Sequence, residues 1–438
     1  MGLSHDTSVS AHYVNSALLL LGACIPSAVV IVSTPKSGAN SLPRYIWALV
    51  IASNARRLFQ ELAGITTSFV LNCLVMGQLI VVLLQCCNLL AITRLDAHDL
   101  IRGDIFQFSD AFFHKVFRTT CLIFNLRGVG TPWQVKRLHR FPRFFDRCGD
   151  DGKPNRCLFV LRQGLIVAWQ YLILDIIYQS SLDTPPEETE RLFGQGKEFL
   201  YLDATVEQWA ARVAVSLVSC LAPARVTTDI AYRSLSLLSV SVGFTSADEW
   251  PPLFGSISDA YTIRRCWSIF WHQHCQWALT SVSNCVCRDI LHLPRPSILD
   301  RYSNITIAFV VSGAIHVMID SFCWKPESKA PTVAFFGSFA VAILLEDRVQ
   351  ALCRRLTGVD TRNGKQDVPV WHKIVGYVWV TSWLSLTVPW YLYHPTRLSP
   401  KVKWLVPYSV VALVGSPAAH GLLIMGGLVL KFVIGGEL

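Results

Sequence analysis

Residues 65–92 (ITTSFVLNCLVMGQLIVVLLQCCNLLAI) run for 28 positions without one charged side chain. A helix needs about 20 residues to cross a bilayer's hydrocarbon core, so this run suits a membrane span. Lipid offers the backbone no hydrogen-bond partners, which leaves only helices and closed barrels as spanning structures. The run is far too long for a barrel strand of about 10 residues. Further candidate spans lie at 13–33, 157–180, 206–220, 228–245, 304–322, 331–346 and 370–393, with one or two within 404–433. A shorter stretch, 44–55, ends at Arg56 and Arg57. Only 16% of residues are charged and 52% are hydrophobic, against about 25% charged in soluble domains. The expected fold class is therefore all-α, a polytopic integral membrane protein of about eight to ten transmembrane helices.

The net charge of +9 is unevenly placed. Segment 94–162 holds thirteen Lys and Arg against seven Asp. Such a loop between two spans, with its main part at 94–156, reads as cytosolic or interfacial, facing anionic headgroups. A second reading is that part of it binds an anionic cosubstrate. Nucleic acid is not an expected partner. No Lys or Arg precedes Lys36, whereas Lys36, Arg44, Arg56 and Arg57 follow the first span. The excess of basic residues on the cytosolic side of spans then places the N-terminal tail in the lumen. The expected location is an integral membrane site, the endoplasmic reticulum.

Fourteen cysteines include no Cys-x-x-Cys pair, and most lie in apolar runs. Cys285 and Cys287, with His272 and His274 nearby, raise a zinc site, but their spacing fits the usual Cys-x2–4-Cys pattern poorly. Small buried apolar residues are the better reading, and no metal is expected. The chain also lacks a G-x-S-x-G elbow, a phosphate-binding loop, a dinucleotide fingerprint and an H-E-x-x-H pair. No internal repeat or composition break divides 1–438, so a single membrane-embedded domain is expected.

Between the spans, 182–198 is a polar connector with room for a short helix. Residues 103–125 alternate aromatic and charged positions, which suits a helix lying in the interface plane. In 246–262 (SADEWPPLFGSISDAYT), Gly255 permits a turn and Ser256 or Ser258 is placed to cap the helix that follows.

That helix contains RRCWSIFWHQHCQWAL, residues 264–279. On one α-helix over 264–281, Arg265, Ser268, His272, Gln276 and Thr280 share a narrow sector. Trp267, Phe270, Trp271, His274 and Trp277 cover most of the rest. An interfacial aromatic belt accounts for the tryptophans. It does not by itself call for the polar stripe, which equally suits the lining of a reaction chamber.

Residues 304–320 (NITIAFVVSGAIHVMID) bring Ser312, His316 and Asp320 to one helical face, with Gly313 beside them. Gly313 and Ala314 permit close approach of another helix or a ligand. A histidine inside a span faces the bundle interior or a wet cavity, either as a packed core residue or as a working one. Neutral imidazole, with an ordinary pKa of about 6.5, suits general-base chemistry near pH 7. It would remove a hydroxyl proton as the oxygen attacks a carbonyl, with polar donors steadying the oxyanion. Asn304-Ile305-Thr306 also matches a glycosylation sequon at the edge of this run.

EWPPLFGSISDAYTIRRCWSIFWHQ (249–273) and VSGAIH (311–316) together resemble the wax-synthase-like branch of the membrane-bound O-acyltransferases, its fungal members above all. NLRGVGTPW (125–133) is similar to a further segment of that subgroup. The resemblance implies a helical bundle enclosing a reaction chamber, with a catalytic core at 246–322. It implies His316 as catalytic base and His272 as the second polar catalytic position. Trp267, Trp271 and Gln273 match the helix motif, and Arg264 and Arg265 its basic lead-in. Ser268, Gln276, Ser312 and Arg127 complete the expected substrate- and cofactor-binding set. Cys266 and His274-Cys275-Gln276 depart from the family pattern.

The implied reaction moves an acyl group, acetyl by preference, from acyl-CoA to a hydroxyl of a lipophilic acceptor such as a terpenoid. It needs no tightly bound cofactor. The expected partners are the bilayer, acyl-CoA entering beside the basic loop, and the lipophilic alcohol; the sequence leaves the oligomeric state open. Long-chain wax-ester synthesis is the near alternative. A proton-coupled transporter using His316, Asp320 and His272 is the rival from another class, although the inverted repeats it calls for are absent. A membrane scaffold in which the histidines knit helices together is a third reading.

Overall fold

The computed structural model describes residues 3–63, 68–142, 144–145, 154–219, 223–323, 328–357, 368–399 and 406–432. Arg143, Arg147 and Lys153 of the basic loop, Cys220, the start of the long apolar run at 65–67, and 404–405 lie outside them. Among the described residues every regular element is helical. In chain order the first helices are α1 (Leu3–Ser33), α2 (Leu42–Ala63), α3 (Phe69–Cys87, continued by a π turn over Asn88–Ile92), α4 (Ala97–Arg102) and α5 (Phe112–Phe124). Then follow α6 (Arg156–Asp183), α7 (Pro186–Phe193), α8 (Val206–Ala214), α9 (Pro223–Ser241), α10 (Ile263–Arg265) and α11 (Gln276–Asn284). The chain closes with α12 (Ile298–Cys323), α13 (Ala330–Thr357), α14 (Val370–Arg397), α15 (Val410–Val414) and α16 (Ser416–Phe432).

Among the described residues six stretches are long and apolar enough to cross a membrane: Val14–Ser33, Val70–Ile92, Arg156–Asp183, Val206–Ser241, Ile298–Cys323 and Ala330–Leu356. The run expected at 206–220 and most of that at 228–245 fall within the fourth of these, whose helix ends at Ser241. The run at 370–393 forms α14, a helix of 28 residues enriched in Trp and Tyr. The short stretch at 44–55 proves to be part of α2, which has 22 residues. At 1.5 Å per residue α2 is about 33 Å long, the length of a crossing, but Arg44, Arg56, Arg57 and Glu61 keep it out of the apolar stretches above.

The chain forms two compact units, each built from two stretches: 1–136 with 274–327, and 137–273 with 328–438. In the first unit α1, α2 and α3 pack together, α12 lies against α3, and α11 lies against α12. Phe59 and Phe322 meet at 5.4 Å between ring centroids, and Gly77 brings α3 close to Ile319. One end of this unit is tied by Arg44, a cation 0% exposed. It donates from Nη1 to the Leu95 carbonyl at 2.7 Å, from Nη2 to the Thr34 carbonyl at 2.7 Å, and from Nε to Thr34 Oγ1 at 2.8 Å. Lys36 and Asp99 pair at 2.9 Å at the same end. The end of α1, the start of α2 and the start of the basic loop therefore share one end of the unit.

Helix α5 buries Val116, Thr119, Leu122 and Ile123 and exposes Phe112, Phe113 and Phe117. It is amphipathic as expected, but shorter than 103–125, because Asp110 accepts the Gln107 N–H and holds 107–110 as a turn.

In the second unit α6 packs on α9 and α16, and α14 packs on α13 and α8. Inside its spans Asp229 and Arg233 form an ion pair, which lowers the cost of burying their charges. Asp229 accepts from Arg233 at 2.6 Å and from Gln170 at 2.7 Å, and Arg233 also reaches Gln163. The 182–198 connector carries the short α7, as its composition allows.

Candidate active site

The site motif begins as a loop and ends as a broken helix. Tyr232 Oη donates to the Pro251 carbonyl at 2.8 Å, and Trp250 Nε1 donates to Thr245 Oγ1 at 2.8 Å, which pin the Trp-Pro-Pro corner. The Gly255 N–H then donates to the Phe270 carbonyl at 3.0 Å. A side chain at Gly255 would strike the Ile269 carbonyl and the His139 ring, so only glycine fits there.

Two local expectations change at this point. Ser256 caps only the short turn Ile257–Asp259, while Thr262 caps α10 by accepting the Arg265 N–H at 3.1 Å. The single helix expected over 264–281 is interrupted. Cys266–Phe270 forms a π turn closed by Trp271 N–H to the Cys266 carbonyl at 2.7 Å. Trp271 is extended, with ψ 160°, and α11 starts afresh at Gln276. The cause is the Phe270 carbonyl, which serves the Gly255 N–H across the loop instead of continuing a helical ladder. The stripe of Arg265, Ser268, His272, Gln276 and Thr280 therefore does not lie on one helical face. π turns of this kind recur at functional sites.

Within the second unit the turn is held by acids on α13. Glu346 Oε2 accepts the Ile263 N–H at 2.6 Å, and Asp347 accepts from Arg264 Nη2 at 2.8 Å. Arg265 pairs with the Asp259 carboxylate and lies 4.8 Å from the Tyr261 ring centroid. Both motif arginines thus carry protein carboxylates. Trp267 packs on Phe339 at 4.6 Å and on Trp271 at 5.4 Å. Phe254 stands edge-on to Trp271 at 5.7 Å and to His272 at 5.8 Å. Gln273 is 2% exposed and donates to the Arg137 carbonyl at 3.0 Å. Ser268 Oγ is buried with no hydrogen-bond partner among the described residues. The result is an aromatic wall around one imidazole and one buried hydroxyl.

The first unit holds His316, Ser312, Gln276 and Arg127. Helix α12 is continuous through His316, as its apolar pattern requires, with Gly313 and Asp320 buried. His316 Nδ1 lies 2.8 Å from the Ser312 carbonyl oxygen. A carbonyl only accepts, so Nδ1 carries the proton and the neutral ring presents its lone pair at Nε2. The expected polar neighbour Ser312 acts here through its backbone.

Gln276 opens α11, with Oε1 buried and without a partner among the described residues. Arg127, 3% exposed, belongs to a tight turn in which Asn125 Nδ2 donates to the Val129 carbonyl at 2.9 Å and Asn125 Oδ1 accepts the Val129 N–H at 2.9 Å. This turn presents Trp133, whose ring stacks on Trp277 at 6.4 Å. Asn304 of the sequon is engaged inside the fold, accepting from Ser283 Oγ at 2.6 Å and donating to Asn284 Oδ1 at 3.1 Å.

His272 and His316 belong to different units, and each is described within its own. Sequence reasoning weighed His274 only beside a zinc site and as a departure from the family pattern; its Nδ1 accepts from Gln78 Nε2 at 3.2 Å inside the first unit, a pairing it did not foresee. The signal was present: Gln78 is an amide in the middle of the uncharged run 65–92, and polar residues in spans face the interior.

No group of three or more His, Cys, Asp and Glu converges for a metal among the described residues. Burial, then Asp289, pushes the Cys285 thiol up; burial, then Asp300, does the same at Cys287.

The family model described as the membrane bound O-acyl transferase family matches residues 250–338, from the Trp-Pro-Pro corner into α13. The acetyltransferase TRI7 of Fusarium sporotrichioides is 51% identical over 420 residues, covering 95% of both chains. The acetyltransferase pyr8 of Aspergillus fumigatus is 40% identical over 96% of both chains. The acetyltransferase atnC of an Arthrinium species is 34% identical over 97% of this chain and 98% of its own. No solved structure matches this chain.

Proposed function

The chain belongs to the membrane bound O-acyl transferase family as an integral membrane acyltransferase, and from that premise we propose that it acetylates a hydroxyl of a lipophilic, terpenoid-like acceptor with acetyl-CoA as donor. The observation that supports this chemistry is the His316 Nδ1–Ser312 carbonyl contact at 2.8 Å, in which Nδ1 donates and Nε2 is the basic atom of the ring. Nε2 takes the acceptor's hydroxyl proton as the oxygen attacks the thioester carbonyl carbon. The tetrahedral intermediate collapses, the carbon–sulfur bond breaks, and the thiolate of CoA takes the proton from the imidazolium. Ester and free CoA leave, and the ring returns to its starting tautomer. Neither a covalent acyl-enzyme nor a metal has a part in this sequence.

His272 is the assisting catalytic residue, held edge-on by Phe254 at 5.8 Å. Trp267 and Trp271 form an apolar wall for the acceptor, and Ser268, Gln273 and Gln276 supply polar atoms. Arg127 and the basic loop 94–156 serve the anionic donor from the cytosolic side of the endoplasmic reticulum. Arg264 and Arg265 contribute by holding the turn. The acetyl preference rests on the named acetyltransferases, which match along nearly their whole length.

The test is ester formation in microsomes carrying the full chain, with labelled acetyl-CoA or longer acyl-CoA and a panel of lipophilic alcohols. Wild type is expected to acetylate a terpenoid alcohol. His316→Ala is expected to lower the rate about 10²–10⁴-fold, the usual worth of a general base. The rate should fall as the pH drops and the ring is protonated, and this limb should vanish in the variant. Full turnover by His316→Ala would remove His316 from the reaction, and no ester from any donor would remove the acetyl-transfer reading.

A further inference from the structure

Helix α14 carries two indoles that the motif did not announce. Trp379 and Trp383 sit about 14 and 20 Å along the helix from its start, at 1.5 Å per residue, and so lie toward its middle. Their rings are 5.4 Å apart. Both Nε1 atoms are buried, and neither finds a hydrogen-bond acceptor among the described residues. An interfacial tryptophan keeps its N–H in reach of water or headgroups. These two do not fit that role. A buried donor without a partner is costly, and more so in an apolar surrounding.

The helix face that bears them is fixed by its contacts. Gly376, Trp379 and Trp383, at spacings of three and seven, share one face. At Gly376 the α14 backbone comes so close to the Tyr261 carbonyl that a Cβ would collide with it. Beside this contact Tyr377 Oη donates to the Ile257 carbonyl at 2.8 Å, and the Tyr261 and Tyr377 rings meet at 6.3 Å. The face is thus turned to residues 257–262, the chain that leads into α10 and the π turn. Side chains on a helix lean toward its N-terminus, which carries both indoles back toward that contact. The same unit holds the unpartnered Ser268 Oγ on the π turn and the aromatic wall of Trp267, Phe339, Phe335 and Tyr391.

We propose that Trp379 and Trp383 form an acceptor-binding subsite, their paired N–H groups donating to oxygens of a lipophilic polycycle other than the hydroxyl that reacts. An indole is an apolar plate with one donor. Two of them side by side suit an apolar skeleton bearing ketone, ether or further hydroxyl oxygens, and offer nothing to a plain alkanol tail. This rests on the acyl-transfer reading and narrows its acceptor to oxygen-rich, compact lipophiles.

The experiment uses the full chain in nanodiscs, with a tritiated polycyclic sesquiterpenoid diol and tritiated 1-hexadecanol as probes. Binding is measured directly, and KM for each alcohol and for acetyl-CoA is measured by ester formation. Trp379→Phe and Trp383→Phe remove the donor and keep a ring. Each is expected to weaken diol binding and raise its KM about three- to tenfold, the worth of one hydrogen bond, and the double variant more. KM for acetyl-CoA and affinity for hexadecanol should stay within about twofold. Deleting a donor with no partner forfeits no internal bond, so thermal stability should hold, whereas a structural role predicts its loss. Unchanged diol affinity in the double variant overturns the proposal, as does no diol binding by wild type. Loss of diol binding in the variants without ester formation by wild type would keep the subsite and refute acetyl transfer instead.

Discussion

Breaking the Arg264–Asp347 pair should damage the turn that carries Trp267, Ser268 and His272, and should do so asymmetrically. The two groups meet at 2.8 Å, with side chains 33% and 4% exposed respectively. Removing one partner of a fully buried pair costs about 3–5 kcal/mol. Arg264 is partly screened by solvent, so Arg264→Met, which takes the cation from a buried carboxylate, is expected to cost about 2–3 kcal/mol. Asp347→Asn leaves the more exposed partner behind and keeps a hydrogen-bond acceptor, and should cost about 1 kcal/mol. The double variant Arg264→Met/Asp347→Asn removes both charges and should come close to wild type, because neither charge then remains to be desolvated.

The assay is the midpoint of thermal inactivation in detergent, with ester-forming rate measured beside it. At about 2–4 °C per kcal/mol, Arg264→Met should lower the midpoint by about 5–10 °C and the double variant by less than either single change. The rate should follow the same order, since α10 leads straight into the π turn. A double variant that merely adds the two single losses would refute the coupling. Single variants within about 1 °C of wild type would show that Arg264 does not hold the turn, and would return it to the ligand-binding set.

Gly376→Ala should lower stability by about 1–3 kcal/mol by pressing a methyl group into the Tyr261 carbonyl, and should lower the ester-forming rate with it; a wild-type melting midpoint would show that α14 does not approach the loop so closely. At the Lys36–Asp99 end, burial pushes the Asp96 carboxyl up, but the Asp99 backbone N–H and the Lys36 ammonium outweigh it and hold the carboxyl below the usual carboxylate range. The folded value is lower than the unfolded one, so the stabilisation is full above the ordinary carboxylate range, near pH 4, and is lost as the pH falls through the lower folded value. Asp96→Asn should flatten the loss of stability between about pH 5 and pH 3, read as melting midpoints; parallel curves for the two proteins would remove Asp96 as the titrating group.

Much of the architecture was legible because lipid imposes it. Charge-free runs must be helical, and α12 carries His316 through an unbroken helix as 304–320 required. The turn at His272 was not legible, for a specific reason. A 100° projection assumes that every carbonyl serves the amide four residues on. At Phe270 the carbonyl instead serves Gly255, and the Cys266 carbonyl reaches the Trp271 amide at i+5. On α13, far away in sequence, Glu346 accepts the Ile263 N–H at the start of this segment and Asp347 pairs with the Arg264 side chain. Local pattern contains none of that. Gln78 was legible in principle, as an amide stranded in an uncharged span, but its partner His274 was hidden in the aromatic stretch.

The shortest doubtful stretch has the largest consequence for topology. If 44–55 lay on the surface, α1 and α3 would be successive crossings, and the basic loop after α3 would return to the side of the N-terminal tail. That would set thirteen basic residues of 94–162 opposite Lys36 and Arg44. The 22-residue α2 has the length of a further crossing, but it carries Arg44, Arg56, Arg57 and Glu61 and is not among the six stretches long and apolar enough to span. Its Arg44 binds the carbonyls of Thr34 and Leu95 together, and Lys36 reaches Asp99, so the end of α1 and the start of the basic loop share one side. A charge bias that put Lys36 on the cytosolic side would put the start of the loop there too. Parity of crossings, more than their number, decides which face of the membrane an anionic donor meets first.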